Sequence, residues 1–218
     1  MTSTNQTHSY PGRLICFEGI DGSGKSHFCT KLSEHLTAQG LKTLVTHEPG
    51  GTAVAEKIGD ILLHFKDEAL EKIMDETELL LFFAARCQHI NNLIIPKLQE
   101  GYWLLSDRFT PSSYAYQGAG RGLGWDKVQA LENYLPPLNP DLLLLLDLDI
   151  SQSSQRWQAQ ATRDRFEKML QKNGDFFASV RQGYLQYAKK YPSTKVLDAS
   201  LPEDEVWALI KKEVAKLS

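Results

Sequence analysis

Cysteine is scarce in this chain, with three in 218 residues, at Cys16, Cys29 and Cys87, odd in number and without C-x-x-C spacing. That excludes a disulfide framework and a thiolate zinc site. The apolar settings of Cys16 and Cys29 read as buried, reduced thiols of a cytoplasmic protein. Positive charge is not in excess either: 24 Lys and Arg against 27 Asp and Glu leave a formal net charge of −3. This argues against nucleic acid as the main partner. No apolar run approaches the length of a membrane span, and Leu142 to Leu146 is far too short. The polar opening, Met1 to Ser9, has no apolar segment of the signal-peptide kind. Residues 1–12 are expected to be a disordered tail before a single domain, 13–218. His8, His27, His35, His47, His64 and His89 show no metal-ligand spacing and are assigned to no metal. Repeats and low-complexity segments are missing as well.

What is present begins with Leu14-Ile-Cys-Phe-Glu-Gly-Ile-Asp-Gly-Ser-Gly-Lys-Ser26. Leu14 to Phe17 is a short apolar run that predicts a buried strand. Glycines follow at Gly19, Gly22 and Gly24, and then Phe28, Leu32 and Leu36 recur at helical spacing. Strand, glycine loop and helix start are the context that turns Gly19-x-x-x-x-Gly24-Lys25-Ser26 into a phosphate cradle. Backbone N–H groups of Gly19, Ile20, Asp21, Gly22, Ser23 and Gly24 can surround an anion, and the helix N-terminus adds partial positive charge. Lys25 can reach the outer phosphates of ATP and the Ser26 hydroxyl can ligate Mg²⁺. The bland alternative is a glycine turn with an incidental lysine.

Strands are expected at residues 42–46, 102–106, 142–146 and 195–198. Helices are expected at 53–65 with Val54, Ile58, Ile61 and Leu62 inward, at 75–98, at 126–134, at 176–191 and at 203–217. Pro96 inside the second of these predicts a kink or an early stop. A glycine-rich loop is expected over Gly118 to Gly124, and Ser151 is expected to cap a helix leading into a small lid, about 152–170. Unbroken Leu142 to Leu146 fits a strand covered on both faces. The alternation predicts an α/β fold: a doubly wound, five-stranded parallel sheet of the P-loop NTPase type, with helices on both faces. Ligands then belong at the carboxyl ends of the strands.

Asp107 ends an apolar strand as a Walker-B-type carboxylate does and can hold Mg²⁺, directly or through water; a turn cap is the plain alternative. Arg108 offers a bidentate fork for an acceptor phosphate. Phe82 and Arg86, four apart on one helix face, can stack on and hydrogen-bond a nucleobase, or be a core ring and a solvated cation. Arg156, Arg163 and Arg165 form a basic group that closes over a transferring phosphoryl group or merely lines a solvated face.

Phe17-Glu-Gly-Ile-Asp-Gly-Ser-Gly-Lys-Ser26, Glu48-Pro-Gly-Gly-Thr52, Phe82-Phe-Ala-Ala-Arg86, Asp107-Arg108-Phe109 and Ala115-Tyr-Gln-Gly118, in this order and spacing, resemble the bacterial thymidylate kinase family. The resemblance runs from about Leu14 to the last helix. It implies transfer of the γ-phosphoryl group of ATP to dTMP with Mg²⁺, and a homodimer formed through the helix that carries Leu79, Leu80 and Phe83. By matching position, Asp21 resembles the carboxylate near the acceptor's 3′-hydroxyl, Phe82 the ring that stacks on thymine, and Arg86 the residue that hydrogen-bonds its carbonyl edge. Arg108 resembles the phosphate-gripping arginine and Asp107 the Mg²⁺-linked acid. Glu48, Pro49, Ser113, Tyr116 and Gln117 fall where the family contacts dTMP. The loop lacks the arginine that some members carry between Asp21 and Gly24, which makes Arg156, Arg163 and Arg165 the lid candidates. Gln158, Gln160, His47 and Gly59 stand where the family often has basic residues. The rival readings are a kinase for another nucleoside monophosphate or a deoxynucleoside, and a catalytically weak nucleotide-binding protein of the same fold.

Overall fold

The computed structural model describes residues 8–65, 71–158 and 174–217. Five strands form one sheet: β1 Arg13–Glu18, β2 Thr43–His47, β3 Trp103–Asp107, β4 Leu142–Asp147 and β5 Thr194–Asp198. All pairings are parallel, in the order β2-β3-β1-β4-β5. The helices between them are α1 Lys25–Ala38, α2 Ala53–His64, α3 Asp75–His89, α4 Ile95–Gln99, α5 Thr110–Ser113, α6 Trp125–Glu132, α7 Ile150–Gln158, α8 Gly174–Lys190 and α9 Glu203–Val214.

The pleat of β1 explains why its apolar run does not alternate with polar residues. Ile15 and Phe17 point to one face, into a cluster with Leu32 and Leu36 of α1 and Ile210 of α9. Leu14 and Cys16 point to the other, against Ile90, Ile94 and Leu98. A strand covered on both faces needs apolar residues at every position. Register places Phe17 opposite Asp107 and Glu18 opposite Leu145, so the acidic and glycine-bearing ends meet along one edge.

Several elements depart from the sequence expectations. Residues 8–12, expected in the tail, make contacts with the fold. Tyr10 packs on the Leu14 side of the core, His8 lies 3.0 Å from the buried Asp141 carboxylate, and the Gly12 N–H bonds the Leu98 carbonyl. In α2 the inward residues are Ala55, Gly59 and Leu62, while Val54 and Ile61 face out. The α3 helix does not stop at Pro96: it runs through a π turn, Ile90–Ile94, into α4. Proline has no N–H to donate, and a widened turn just before it removes the need for one. The expected glycine loop is helical in its first half, because a π segment Tyr114–Gly120 continues α5. Ser151 is not the cap of α7; Asp149 is, its carboxylate accepting from the Ser151 N–H and hydroxyl. Residues 159–173, most of the expected lid, lie outside the described residues, as does Arg163 with Arg165.

Candidate active site

The loop expected to cradle phosphate leads into a helix end that no side chain caps among the described residues. Gly24 precedes α1 with φ 95°, a left-handed conformation that suits glycine. No side chain caps α1 and no acidic residue occupies its first turn, so its leading N–H groups remain available to an anion. At Gly19 a Cβ would come 2.4 Å from the Leu146 carbonyl, so only glycine lets the loop pass this close to β4. The Lys25 ammonium bonds the Ile20 carbonyl at 3.0 Å and lies 3.8 Å from the Asp21 carboxylate. Burial and the neighbouring Arg108 cation hold its pKa below the ordinary lysine value, against the pull of Asp21 and Asp107. Ser23 is buried, with its hydroxyl unpaired among the described residues. The Ser26 hydroxyl donates to one carboxylate oxygen of Asp107, at the end of β3.

Arg108 is the junction. Its guanidinium bonds the Asp21 carboxylate, the Tyr116 hydroxyl at 3.2 Å, the Gly19 carbonyl at 3.1 Å and the Tyr184 hydroxyl at 3.0 Å. It also stacks on the Tyr116 ring, 5.0 Å from the centroid. Burial would raise the Asp21 carboxyl, but Arg108 and Lys25 outweigh it and leave Asp21 below the usual carboxylate range.

Arg86 is not a solvated cation. It is 1% exposed, with Nε 2.7 Å from Glu48, one terminal nitrogen 3.0 Å from the Ser113 hydroxyl and the other 3.3 Å from the Phe109 carbonyl. Burial alone would raise the Glu48 carboxyl, yet Arg86 and His89 hold it below its ordinary value. His89, itself buried, bonds Glu48 at 3.2 Å and the Thr46 hydroxyl at 2.7 Å. The Gln117 amide donates to buried Glu78 at 2.9 Å, and Arg121 binds the same carboxylate at 2.8 Å.

These groups frame two clefts. One is lined by Asp21, Glu48, Pro49, Leu63, Phe82, Arg86, Arg108, Ser112, Ser113, Tyr116 and Gln117. The other runs along Asp21 to Phe28 and Asp107, past Arg108 and Arg156, to Ala199, Leu201 and Glu203. Asp21 and Arg108 line both. The structure thus brings together every described candidate from the sequence; Arg156 is exposed beside Gly22 and reaches only the second cleft.

Comparison with known proteins gives the same direction. A family model described as Thymidylate kinase matches residues 17–210. The chain belongs to the thymidylate kinase family. It is 43% identical over 205 residues to the thymidylate kinase of Methylobacillus flagellatus, covering 93% of this chain and 95% of that one. It is 43% identical over 211 residues to that of Thiobacillus denitrificans, covering 96% and 97%. The crystal structure of thymidylate kinase from Ehrlichia chaffeensis superposes with a TM-score of 0.72 at 29% identity, over 94% of this chain and 99% of that one. As a thymidylate kinase the chain is a phosphotransferase, and the family implies ATP as donor.

His47 is exposed, with Nε2 3.3 Å from Glu56. Gly59 is buried where α2 runs close to Pro49: a Cβ there would lie 2.9 Å from the Pro49 carbonyl. Gln160 lies outside the described residues, and so does the side chain of Gln158. Sequence reading missed Glu18, Glu78, His89, Ser112 and Tyr184. Glu18 carried one usable signal, an acid closing an apolar strand beside the first loop glycine. The partners of the others are distant in sequence and left no local trace.

Proposed function

We propose that this thymidylate kinase transfers the γ-phosphoryl group of ATP to dTMP by charge neutralisation at the junction of the two clefts. One observation carries this reading: Asp21 and Arg108 belong to both clefts, so a donor phosphate in one and an acceptor phosphate in the other converge on the same cation. The Gly19–Ser26 loop and Lys25 hold the ATP phosphates. Phe82 stacks on thymine, Arg86 and Gln117 bind its polar edge, Ser113 and Tyr116 complete the base and sugar contacts, Glu48 holds Arg86, and Pro49 lines the cleft beside the substrate. Asp21 receives the 3′-hydroxyl and Arg108 the acceptor phosphate. Arg156, with Arg163, supplies further positive charge at the transferring group. The acceptor is already an oxyanion, so no general base is required.

Ser26 and Asp107 are the residues that would hold Mg²⁺. One Asp107 carboxylate oxygen is buried without a hydrogen-bond partner among the described residues, while the other takes the Ser26 hydroxyl. Hydroxyl and carboxylate oxygens are hard donors that suit this ion. Bound there, it would neutralise charge on the ATP phosphates.

Arg86→Ala should raise the KM for dTMP by about tenfold or more, the size of a lost charged hydrogen bond, and leave the KM for ATP nearly unchanged. An unaltered dTMP KM would remove Arg86 from base recognition.

The homodimer and the cytoplasmic location belong to the same proposal. Among the described residues no helix is long and apolar enough to cross a membrane. Of the three residues expected at the interface, Leu79 and Phe83 are buried within the chain and only Leu80 is exposed. Val54 and Ile61 of α2, which packs on α3, are exposed as well. Light scattering should give about twice the 24.6 kDa of one chain; a monomer mass would refute the dimer.

A further inference from the structure

Glu18 closes β1 and is 0% exposed, beside the junction of the two clefts but lining neither. Its carboxylate collects three donors. One oxygen accepts the Phe109 N–H at 2.7 Å; the other accepts the Ser112 hydroxyl at 2.6 Å and the Tyr184 hydroxyl at 3.0 Å. The same two hydroxyls contact one terminal nitrogen of Arg108, at 3.3 Å from Ser112 and 3.0 Å from Tyr184.

An ionised carboxylate only accepts, and a guanidinium only donates. Each hydroxyl has a single proton. The two hydroxyl oxygens also lie 2.8 Å apart, so one can give its proton to the other instead of to Glu18. Either way an ionised Glu18 takes at least one of the two protons and leaves oxygen lone pairs facing Arg108, so it sets the polarity of the pair. It also binds the backbone immediately after Arg108, whose own N–H bonds the Phe17 carbonyl at 2.9 Å.

We propose that Glu18 is a positioning residue for Arg108, acting through Ser112 and Tyr184 to aim the guanidinium at the acceptor phosphate. This rests on the reading of Arg108 as the phosphate-binding arginine. The arrangement also ties α8, which carries Tyr184, to the acceptor site. A carboxylate serving only the fold would show its removal in stability, not in affinity for one substrate. A positioning residue shows it in dTMP binding, and only while Arg108 is present.

The test is steady-state kinetics at pH 7.5 on the full chain, comparing wild type with Glu18→Gln, Ser112→Ala, Tyr184→Phe, Arg108→Ala and the Glu18→Gln/Arg108→Ala double variant. Glutamine keeps the shape, but its NH2 group must face either both hydroxyls, which share one oxygen and would be freed to turn their protons toward Arg108, or the Phe109 N–H, which would lose its acceptor beside Arg108. The dTMP KM should rise by about tenfold in Glu18→Gln and about threefold in Tyr184→Phe, with the ATP KM within about twofold of wild type. In the Arg108→Ala background, Glu18→Gln should add less than about twofold, because the two act as a unit. If Arg108→Ala raises the dTMP KM and folded Glu18→Gln does not, the positioning role is overturned while the phosphate-binding reading stands. An undiminished effect of Glu18→Gln in the Arg108→Ala background overturns it equally. If Arg108→Ala itself leaves the dTMP KM unchanged, the phosphate-binding reading falls first. Should Glu18→Gln fail to fold, unchanged dTMP KM values in both Ser112→Ala and Tyr184→Phe overturn the proposal.

Discussion

Arg108 stands at φ 75°, a left-handed conformation that a non-glycine residue holds only where its surroundings impose it. Here they do. The Phe17 carbonyl takes the Arg108 N–H, the Ser106 hydroxyl bonds the Arg108 carbonyl at 2.7 Å, and Glu18 takes the next N–H. The Asp107-Arg108 pair was legible in the sequence as a strand-end acid and a fork. Its conformation was not, because the groups that impose it come from β1 and β3 at once. Glu18 has a consequence of its own. Burial raises its carboxyl from 4.5 to about 6, opposed by Ser112, Arg108, Phe109 and Tyr184. The folded protein thus holds this proton more tightly than the unfolded chain. Its contribution to stability is full below pH 4.5 and is lost as pH rises through 6. At 1.36 kcal/mol per unit the loss is about 2 kcal/mol. Urea unfolding of wild type and Glu18→Gln at pH 5 and pH 8 should show wild type losing about 1 kcal/mol relative to the variant at the higher pH, the part of the contribution that persists at pH 5. A stability difference that does not change with pH would contradict the raised pKa.

At the scale of elements, the strands were the most legible part, because a run covered on both faces leaves an unbroken apolar signature. Helix faces were less so. In α2 the sequence favoured Val54 and Ile61 beside Leu62, but the close approach of Gly59 to Pro49 turns Ala55 inward with Leu62 and leaves Val54 and Ile61 outside. The Gly118 to Gly124 segment misled for a related reason. Its small residues serve contact between helices as well as a turn: Gly120 packs on Phe176 and Val180, while Ala115 and Ala119 meet Gly183 of α8. A Cβ at Gly183 would come 2.8 Å from the Ala119 Cβ and 2.9 Å from the Ala115 Cα. Alanine ordinarily stabilises a helix interior by up to about 1 kcal/mol over glycine. At Gly183 the clash should reverse that sign and destabilise by about 1–3 kcal/mol, read as a lower urea midpoint. A raised midpoint would show that α8 is free to move away.

For the whole molecule, the order β2-β3-β1-β4-β5 places the ends of β1 and β3 side by side. Glu18, the loop, Asp107 and Arg108 then converge although about ninety positions separate them in sequence. Motif spacing could foresee that convergence, since each motif directly follows a predicted strand. It could not foresee that Arg86 is locked to Glu48 or that Gln117 is locked to Glu78, because buried pairing depends on how α3 and the Tyr114–Gly120 segment cross. These locked groups fix the cleft proposed for the acceptor before any substrate arrives, which is how binding energy becomes discrimination. The most direct test is ADP release from ATP and Mg²⁺ with dTMP, dUMP, dCMP, dAMP, dGMP and UMP offered separately. The account predicts clear preference for dTMP. Equal or absent turnover across the six would contradict it, leaving an ATP-binding loop without the acceptor site described for it.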